Sequence, residues 1–234
     1  MAQAGDSMAR DALRACGLFR QANDATIAAL ADALRIQRFR RAETIFHQDD
    51  PGDALFILAS GSVKVVLPSN EGAEPAIVAI LGPGEFFGEL ALLDGAPHSA
   101  TIVAMEPTET LVLNRVAFLA LIDSQAGLRR ELLASLAGEI RRLTGHVEDL
   151  HFLDLPARLA SRIVRLAATQ APAVRGEVRI PWPYTQSELA GMIGGSRQSV
   201  NRLLAELADE GLVRIDHDVL VVSDVDRLAR TIER

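Results

Sequence analysis

The residues best suited to chemistry in this chain lie in two runs. The first is Gly84–Thr101, which reads GEFFGELALLDGAPHSAT. Phe86-Phe87-Gly88-Glu89-Leu90 sets a glycine and a carboxylate just ahead of a short apolar run. A glycine, having no Cβ, lets a ligand approach the main chain closely. Main-chain N–H groups at the start of a helical turn can hold an anion. The Glu89 carboxylate offers acceptor oxygens to a diol. The second run is Thr185–Asp216, TQSELAGMIGGSRQSVNRLLAELADEGLVRID. Arg197 and Gln198 fall in the first turn of a helix there, and Asn201 and Arg202 lie one turn further along the same outward face. Arg pairs with guanine O6 and N7, and Gln pairs bidentately with adenine N6 and N7. First-turn positions of such a helix are the ones that reach base edges.

Other chemistry finds no support. Cys16 is the only cysteine, which excludes an internal disulfide and a four-cysteine iron–sulfur cluster within one chain. It reads as a small buried hydrophobe. His47, His98, His146, His151 and His217 are scattered, with no metal-ligand spacing. The expectation is therefore no metal, no haem, no iron–sulfur cluster and no catalytic residue: a binding protein and not an enzyme. The absence of clustered histidines also argues against a cupin-like metal enzyme.

The net charge of −7 is unfavourable for a nucleic-acid partner, but it is unevenly spread. From Leu155 onward Arg outnumbers Asp plus Glu by 11 to 10, while before it acidic residues outnumber basic ones by 21 to 13. A negative total does not exclude DNA when positive charge is focused on one face. The N-terminus lacks the apolar core of a signal peptide and no apolar run spans a bilayer, so a cytoplasmic protein with no membrane partner is expected.

These residues need elements to hold them. Residues 8–34 read as helical, with Asn23 or Asp24 as a cap. From Ile36 to Asn114, short β-type runs alternate with Gly, Pro, Asp and Asn: Ile36–Arg40, Glu43–His47, Ala54–Ala59, Ser62–Leu67, Ala76–Leu81, Ser99–Met105 and Thr108–Asn114. That spacing predicts a small jelly roll. Ala126–Asp154 follows as one long helix. Leu128, Leu132, Leu136, Ile140, Leu143, Val147 and Leu150 form its apolar stripe, and polar residues between them, Glu139 included, suit water. The late part of the stripe is close to a heptad seam, which predicts pairing with a second copy.

After Leu155-Pro156, a helix over 157–168 turns Leu159, Ile163, Leu166 and Ala167 to one side. Ala171–Val174 reads as a loop and Glu177–Ile180 as a strand. Thr185 and Glu188 form a capping box for a helix with Leu189, Ala190 and Ile193 inward. Gly194-Gly195 turns the chain, and Ser196 caps a second helix with Val200, Leu203, Leu204 and Leu207 inward. That is a helix-turn-helix. Leu212–Ile215 and Val219–Val222 form a wing, and Asp224–Glu233 a last helix.

The run Gly84–Thr101 resembles the phosphate-binding cassette of cyclic-nucleotide-binding domains, Phe-Gly-Glu-Leu, then an apolar turn, then Pro-Arg-Ser/Ala-Ala-Thr. The second run resembles the winged helix-turn-helix of Crp–Fnr-type transcription regulators. The likeness covers the whole length: β-roll, long helix, the hinge Phe152-Leu153-Asp154 and the DNA-binding tail. It implies an α+β chain of three parts: a jelly-roll domain over 1–125, a dimerisation helix over 126–154 and a winged helix-turn-helix over 155–234. It also implies a homodimer on double-stranded DNA, contact with RNA polymerase, and a cyclic nucleotide, cAMP or cGMP, bound between β-roll and long helix. Carried over by position, Gly88 and Glu89 face the ribose and phosphate, Ser99 the phosphate, and Leu90 belongs to the same ligand-binding set. Leu143-Thr144 stands where cyclic-AMP receptors often carry Thr-Ser against the base. Thr185, Ser196, Arg197, Gln198, Ser199, Asn201 and Arg202 form the DNA-reading set.

Three positions depart. His98 replaces the cassette's phosphate-pairing Arg, a permanent bidentate donor. Histidine is only partly charged at neutral pH. Either His98 contacts a phosphate weakly or in a pH-dependent way, or the ligand has changed, or the cassette is kept for packing alone. Leu143 removes a hydroxyl and adds to the seam. Gln198 stands where the family has Glu, which predicts a related half-site altered at the pair it reads.

Overall fold

The computed structural model describes residues 2–69, 74–170 and 176–232. The expected loop Ala171–Val174 lies outside them. The chain divides into two compact units, and the division falls after Arg142.

The first unit begins with α1 (Ala2–Ala15), a 3-10 turn at Gly17–Phe19, and α2 (Asp24–Ala33). Asn23 caps α2, its side chain accepting the Thr26 N–H at 2.8 Å. Eight strands follow: β1 (Arg35–Phe39), β2 (Thr44–Phe46), β3 (Ala54–Ser60), β4 (Val63–Leu67), β5 (Ala76–Leu81), β6 (Phe86–Phe87), β7 (Thr101–Ala104) and β8 (Thr108–Asn114). They form two four-stranded sheets, ordered β1-β8-β3-β6 and β2-β7-β4-β5. Apart from β4 and β5, sequence neighbours are split between sheets, which is the two-layer arrangement expected of a jelly roll.

The alternation along β3 and β8 sends Leu55, Ile57, Leu111 and Leu113 to one face, where Leu13, Phe19, Ile27 and Phe118 cover them. Cys16 lies in this core, and burial pushes its thiol up to about 11, so it is a packed hydrophobe and not a nucleophile. Leu58, Val63, Phe87 and Ile102 fill the space between the sheets.

Three features of this unit differ from the sequence expectation. Phe86–Phe87, outside the seven expected runs, pairs with β3 as β6. The strand expected from Ser99 starts only at Thr101, because Ser99 belongs to the preceding turn. Residues 115–124, which carried no expectation, form α4 (Arg115–Ser124). Asn114 caps it by accepting the Ala117 N–H at 3.0 Å, and Phe118 and Ile122 bury its inner side.

The long helix α5 (Ala126–Phe152) runs through the division between the units. Leu128 and Leu132 are buried in the core beneath α4, while Ile140 and Val147 are each 64% exposed. Leu133, left out of the sequence stripe, is exposed beside them.

In the second unit Asp154 caps α6 (Leu155–Gln170) by accepting the Ala157 N–H at 2.9 Å. Leu159, Ala160, Ile163 and Ala167 are its buried face. β9 (Val178–Pro181), β10 (Val213–Asp216) and β11 (Val219–Val222) make an antiparallel sheet ordered β10-β11-β9, so the expected two-stranded wing gains a third strand. Between them lie α7 (Gln186–Ile193) and α8 (Arg197–Asp209). The last helix, α9 (Val225–Ala229), is shorter than expected; Arg230–Ile232 is a turn. Among the described residues no helix is long and apolar enough to cross a membrane.

Candidate effector cleft and nucleic-acid interface

The cassette folds around two left-handed glycines. Gly88 has φ 89° and forms the N-cap of α3 (Glu89–Asp94); Gly95 has φ 76° and closes it, donating its N–H to the Ala91 carbonyl. A Cβ on Gly88 would lie 2.8 Å from the Ala54 carbonyl oxygen, so β3 and the turn approach closely only because this residue is glycine. The turn opens a cleft of about 530 Å³, counting space continuous with solvent. Phe46, Leu81, Phe86 and Ile102 supply apolar wall, and Gly88, Glu89, Leu90, His98 and Ser99 all line it. The structure thus brings together five of the seven residues expected to bind a ligand. Leu143 and Thr144 belong to the part of α5 that falls in the second unit.

Glu89 is only 6% exposed. Burial, reinforced by the nearby Glu139, raises its carboxyl to about 7, against the pull of a main-chain hydrogen bond. A carboxyl raised in the folded state stays protonated there while the unfolded chain ionises. Its stabilising contribution is complete below about pH 4.5 and is lost as pH rises towards 7. Glu89→Gln removes this titration. The substituted protein is expected to match the parent near pH 4.5 and to exceed it at pH 8 by up to about 3 kcal/mol. Urea denaturation at the two pH values measures this.

His98 is buried and its ring stacks on Phe46, with centroids 3.5 Å apart and planes 7° from parallel. Gly52 lies close to the ring, where a Cβ would meet His98 Cε1 at 2.9 Å. Its N–H donates to the Asp50 carbonyl and its own carbonyl accepts from Asp49, each at 2.9 Å. Burial lowers its pKa, outweighing the opposing pull of Asp50 and Asp53. At neutral pH the imidazole is therefore an uncharged, packed ring where the family pattern has a cation.

One cleft residue was misread from sequence. Glu139 reads as a solvent-facing position of the long helix, but it lines the cleft. Its Oε1 accepts from Arg142 Nη2 at 2.8 Å, and Arg142 Nη1 donates to the Val78 carbonyl at 2.7 Å. Its position one turn ahead of Leu143, four residues on, was the available signal.

In the second unit the expected capping box is present. Thr185 Oγ1 accepts the Glu188 N–H at 3.2 Å, and Glu188 Oε2 accepts the Thr185 N–H at 2.9 Å. Leu189, Ala190 and Ile193 are buried. Gly194, with φ 67°, ends α7, and Ser196 caps α8 by accepting the Ser199 N–H at 3.1 Å. Val200, Leu203 and Leu204 hold α8 down, Leu207 is half-buried, and Arg197, Gln198, Asn201 and Arg202 are exposed. Arg202 reaches Glu206 at 3.6 Å; both are largely in solvent, so the pair is weak and displaceable.

The chain was compared with known proteins. The cyclic nucleotide-binding domain family matches residues 36–125, and the Crp-like helix-turn-helix domain family matches residues 157–231. The CRP-like cAMP-activated global transcriptional regulator of Mycobacterium tuberculosis is 33% identical over 218 residues, which are 93% of this chain and 97% of that protein. The chain belongs to the Crp family of transcription regulators. A second Crp-family relative, the cyclic AMP receptor protein of Thermus thermophilus, is 36% identical over 76% of this chain and 78% of its own length. A solved CRP-family transcriptional regulator from Thermus thermophilus has a TM-score of 0.68 at 26% identity, covering 85% of this chain and 97% of that one. CooA from Carboxydothermus hydrogenoformans shares the fold, with a TM-score of 0.77 at 24% identity and 93% and 95% coverage.

Proposed function

We propose that this Crp-family regulator binds a pseudo-palindromic DNA site as a homodimer, and that a small effector in the cassette cleft sets its affinity. The observation that carries the DNA reading is α8. Its apolar face is buried, and its outer face presents Arg197, Gln198, Asn201 and Arg202 together at the end that a recognition helix inserts into the major groove. Thr185, Ser196 and Ser199, at the helix starts, are placed to position phosphates. The wing, with Arg214 exposed, extends the same surface chemistry. RNA polymerase is the further partner that family membership suggests.

The dimer reading rests on α5. Leu133, Ile140 and Val147 are spaced by seven, as are Leu136, Leu143 and Leu150, and all but half-buried Leu136 are exposed in the single chain. The β-branched Ile140 and Val147 in one register, with Leu in the other, favour a two-stranded parallel pair.

Gln198 gives a direct test of base reading. Gln198→Glu is expected to move the preferred base at one position per half-site from adenine towards the cytosine that Glu accepts from. A binding-site selection returning the same site for both proteins would remove Gln198 from the reading set.

For the effector, the names of the cAMP-activated relatives point first to a cyclic nucleotide, with Gly88, Glu89 and Ser99 as its contacts in the cassette. A second reading, an effector of different chemistry, is favoured by the neutral, stacked His98. Calorimetry on the full chain with cAMP and cGMP, followed by a gel shift with any nucleotide that binds, tests the first reading.

A further inference from the structure

We propose that the cassette cleft takes an uncharged, diol-bearing ligand of nucleoside size and disfavours the same ligand as its cyclic phosphate. This rests on reading the cleft as the effector site. Among the described residues no Lys or Arg lines it; its ionisable groups are Glu89, Glu139 and His98. His98 cannot supply the missing charge cheaply, since its ring is buried, stacked on Phe46 and close to Gly52. Burial, outweighing the pull of Asp50 and Asp53, keeps its charged form disfavoured.

The guanidinium groups beside the cleft are engaged elsewhere: Arg115 Nη1 donates to the Ala91 carbonyl at 3.2 Å. Arg142 is engaged by Glu139 and the Val78 carbonyl, and lines a neighbouring cleft with Arg20 and Glu85 instead. An anionic phosphate seated at the cassette would therefore meet a buried carboxyl at Glu89 and no Lys or Arg among the described residues that line the cleft. Removing the phosphate removes that conflict and keeps what the cleft does offer. Glu89 accepts from a pair of hydroxyls, Ser99 contributes one exposed hydroxyl, and the aromatic and aliphatic wall of Phe46, Phe86, Leu81 and Ile102 covers a flat ring.

The test is calorimetry on the full chain with adenosine, guanosine, cAMP and cGMP, repeated on Ser99→Arg. Ser99 is exposed at the cleft wall, so an arginine there adds a cation without disturbing the stacked histidine. The parent is expected to bind one nucleoside at least roughly tenfold more tightly than its cyclic phosphate, and Ser99→Arg to invert that order. Tighter binding of a cyclic nucleotide by the parent, or no heat from any of the four compounds, overturns the proposal. A gel shift on a palindromic site separates the two readings. A nucleoside that binds yet leaves DNA affinity unchanged supports the ligand class and removes the cleft as the effector switch.

Discussion

Ile140→Glu combined with Val147→Glu is expected to give a folded monomer that binds palindromic DNA roughly a hundredfold less tightly than the parent, or worse. Both side chains are 64% exposed in the single chain, so neither substitution disturbs a core. In a parallel pair, however, each would set a carboxylate against its own copy in an apolar seam, leaving buried like charges with no partner. The loss on DNA follows from losing simultaneous engagement of two half-sites about one helical turn apart. Sedimentation gives the oligomeric state, circular dichroism shows whether the fold persists, and a gel shift gives the affinity. A double variant that still sediments as a dimer would move the interface away from α5. Leu132→Ala makes a useful contrast: that side chain is buried in the first unit's core, so the expected result is about 2–5 kcal/mol lower stability with the dimer retained.

The second large effect concerns α8. Arg202→Ala is expected to cost about 1–3 kcal/mol on the specific site, which is about 5- to 150-fold in affinity. Arg197→Ala should cost a similar amount. Neither residue supports the fold: Arg202 makes only an exposed pair with Glu206, and Arg197 is exposed at the first turn. Thermal stability should therefore stay within about 0.5 kcal/mol. The informative comparison is specific against random DNA. A residue that reads a base loses affinity on the specific site alone, whereas one that neutralises a phosphate weakens both and lowers the salt dependence. Unchanged binding of Arg202→Ala to the specific site would exclude that residue from recognition.

The two halves of the molecule differed in how much their sequence revealed. The helix-turn-helix was legible nearly residue by residue. Its organising signals are local: a Thr185–Glu188 capping box, a left-handed Gly194 and a Ser196 cap all act within four residues of chain. The cassette was legible for the same reason, since Gly88 and Gly95 fix their turn through their own φ angles. α4 was missed because Arg115–Ser124 carries an almost unbroken apolar run, which has no clear period to read. The third strand of the wing, β9, joins through β11, more than 30 residues away in sequence, and pairing at that distance leaves no local mark.

The sequence by itself determined the order of elements, the two local constellations around Gly88-Glu89 and Arg197–Arg202, and the family that they imply. Tertiary structure decided what each side of α5 faces and what His98 is. Leu128, Leu132 and Leu136 step by four along a helix that repeats every 3.6 residues, so the stripe rotates by about 40° per step. Its first members turn into the core beneath α4, and a different set beginning at Leu133 is left for a partner. His98 reads in sequence as a weakened phosphate ligand. Only packing against Phe46 and Gly52, residues some fifty positions earlier in the chain, makes it a neutral wall of the cleft. A charge state depends on the surroundings of a group and not on its identity, and those surroundings are assembled from residues that the sequence does not place side by side.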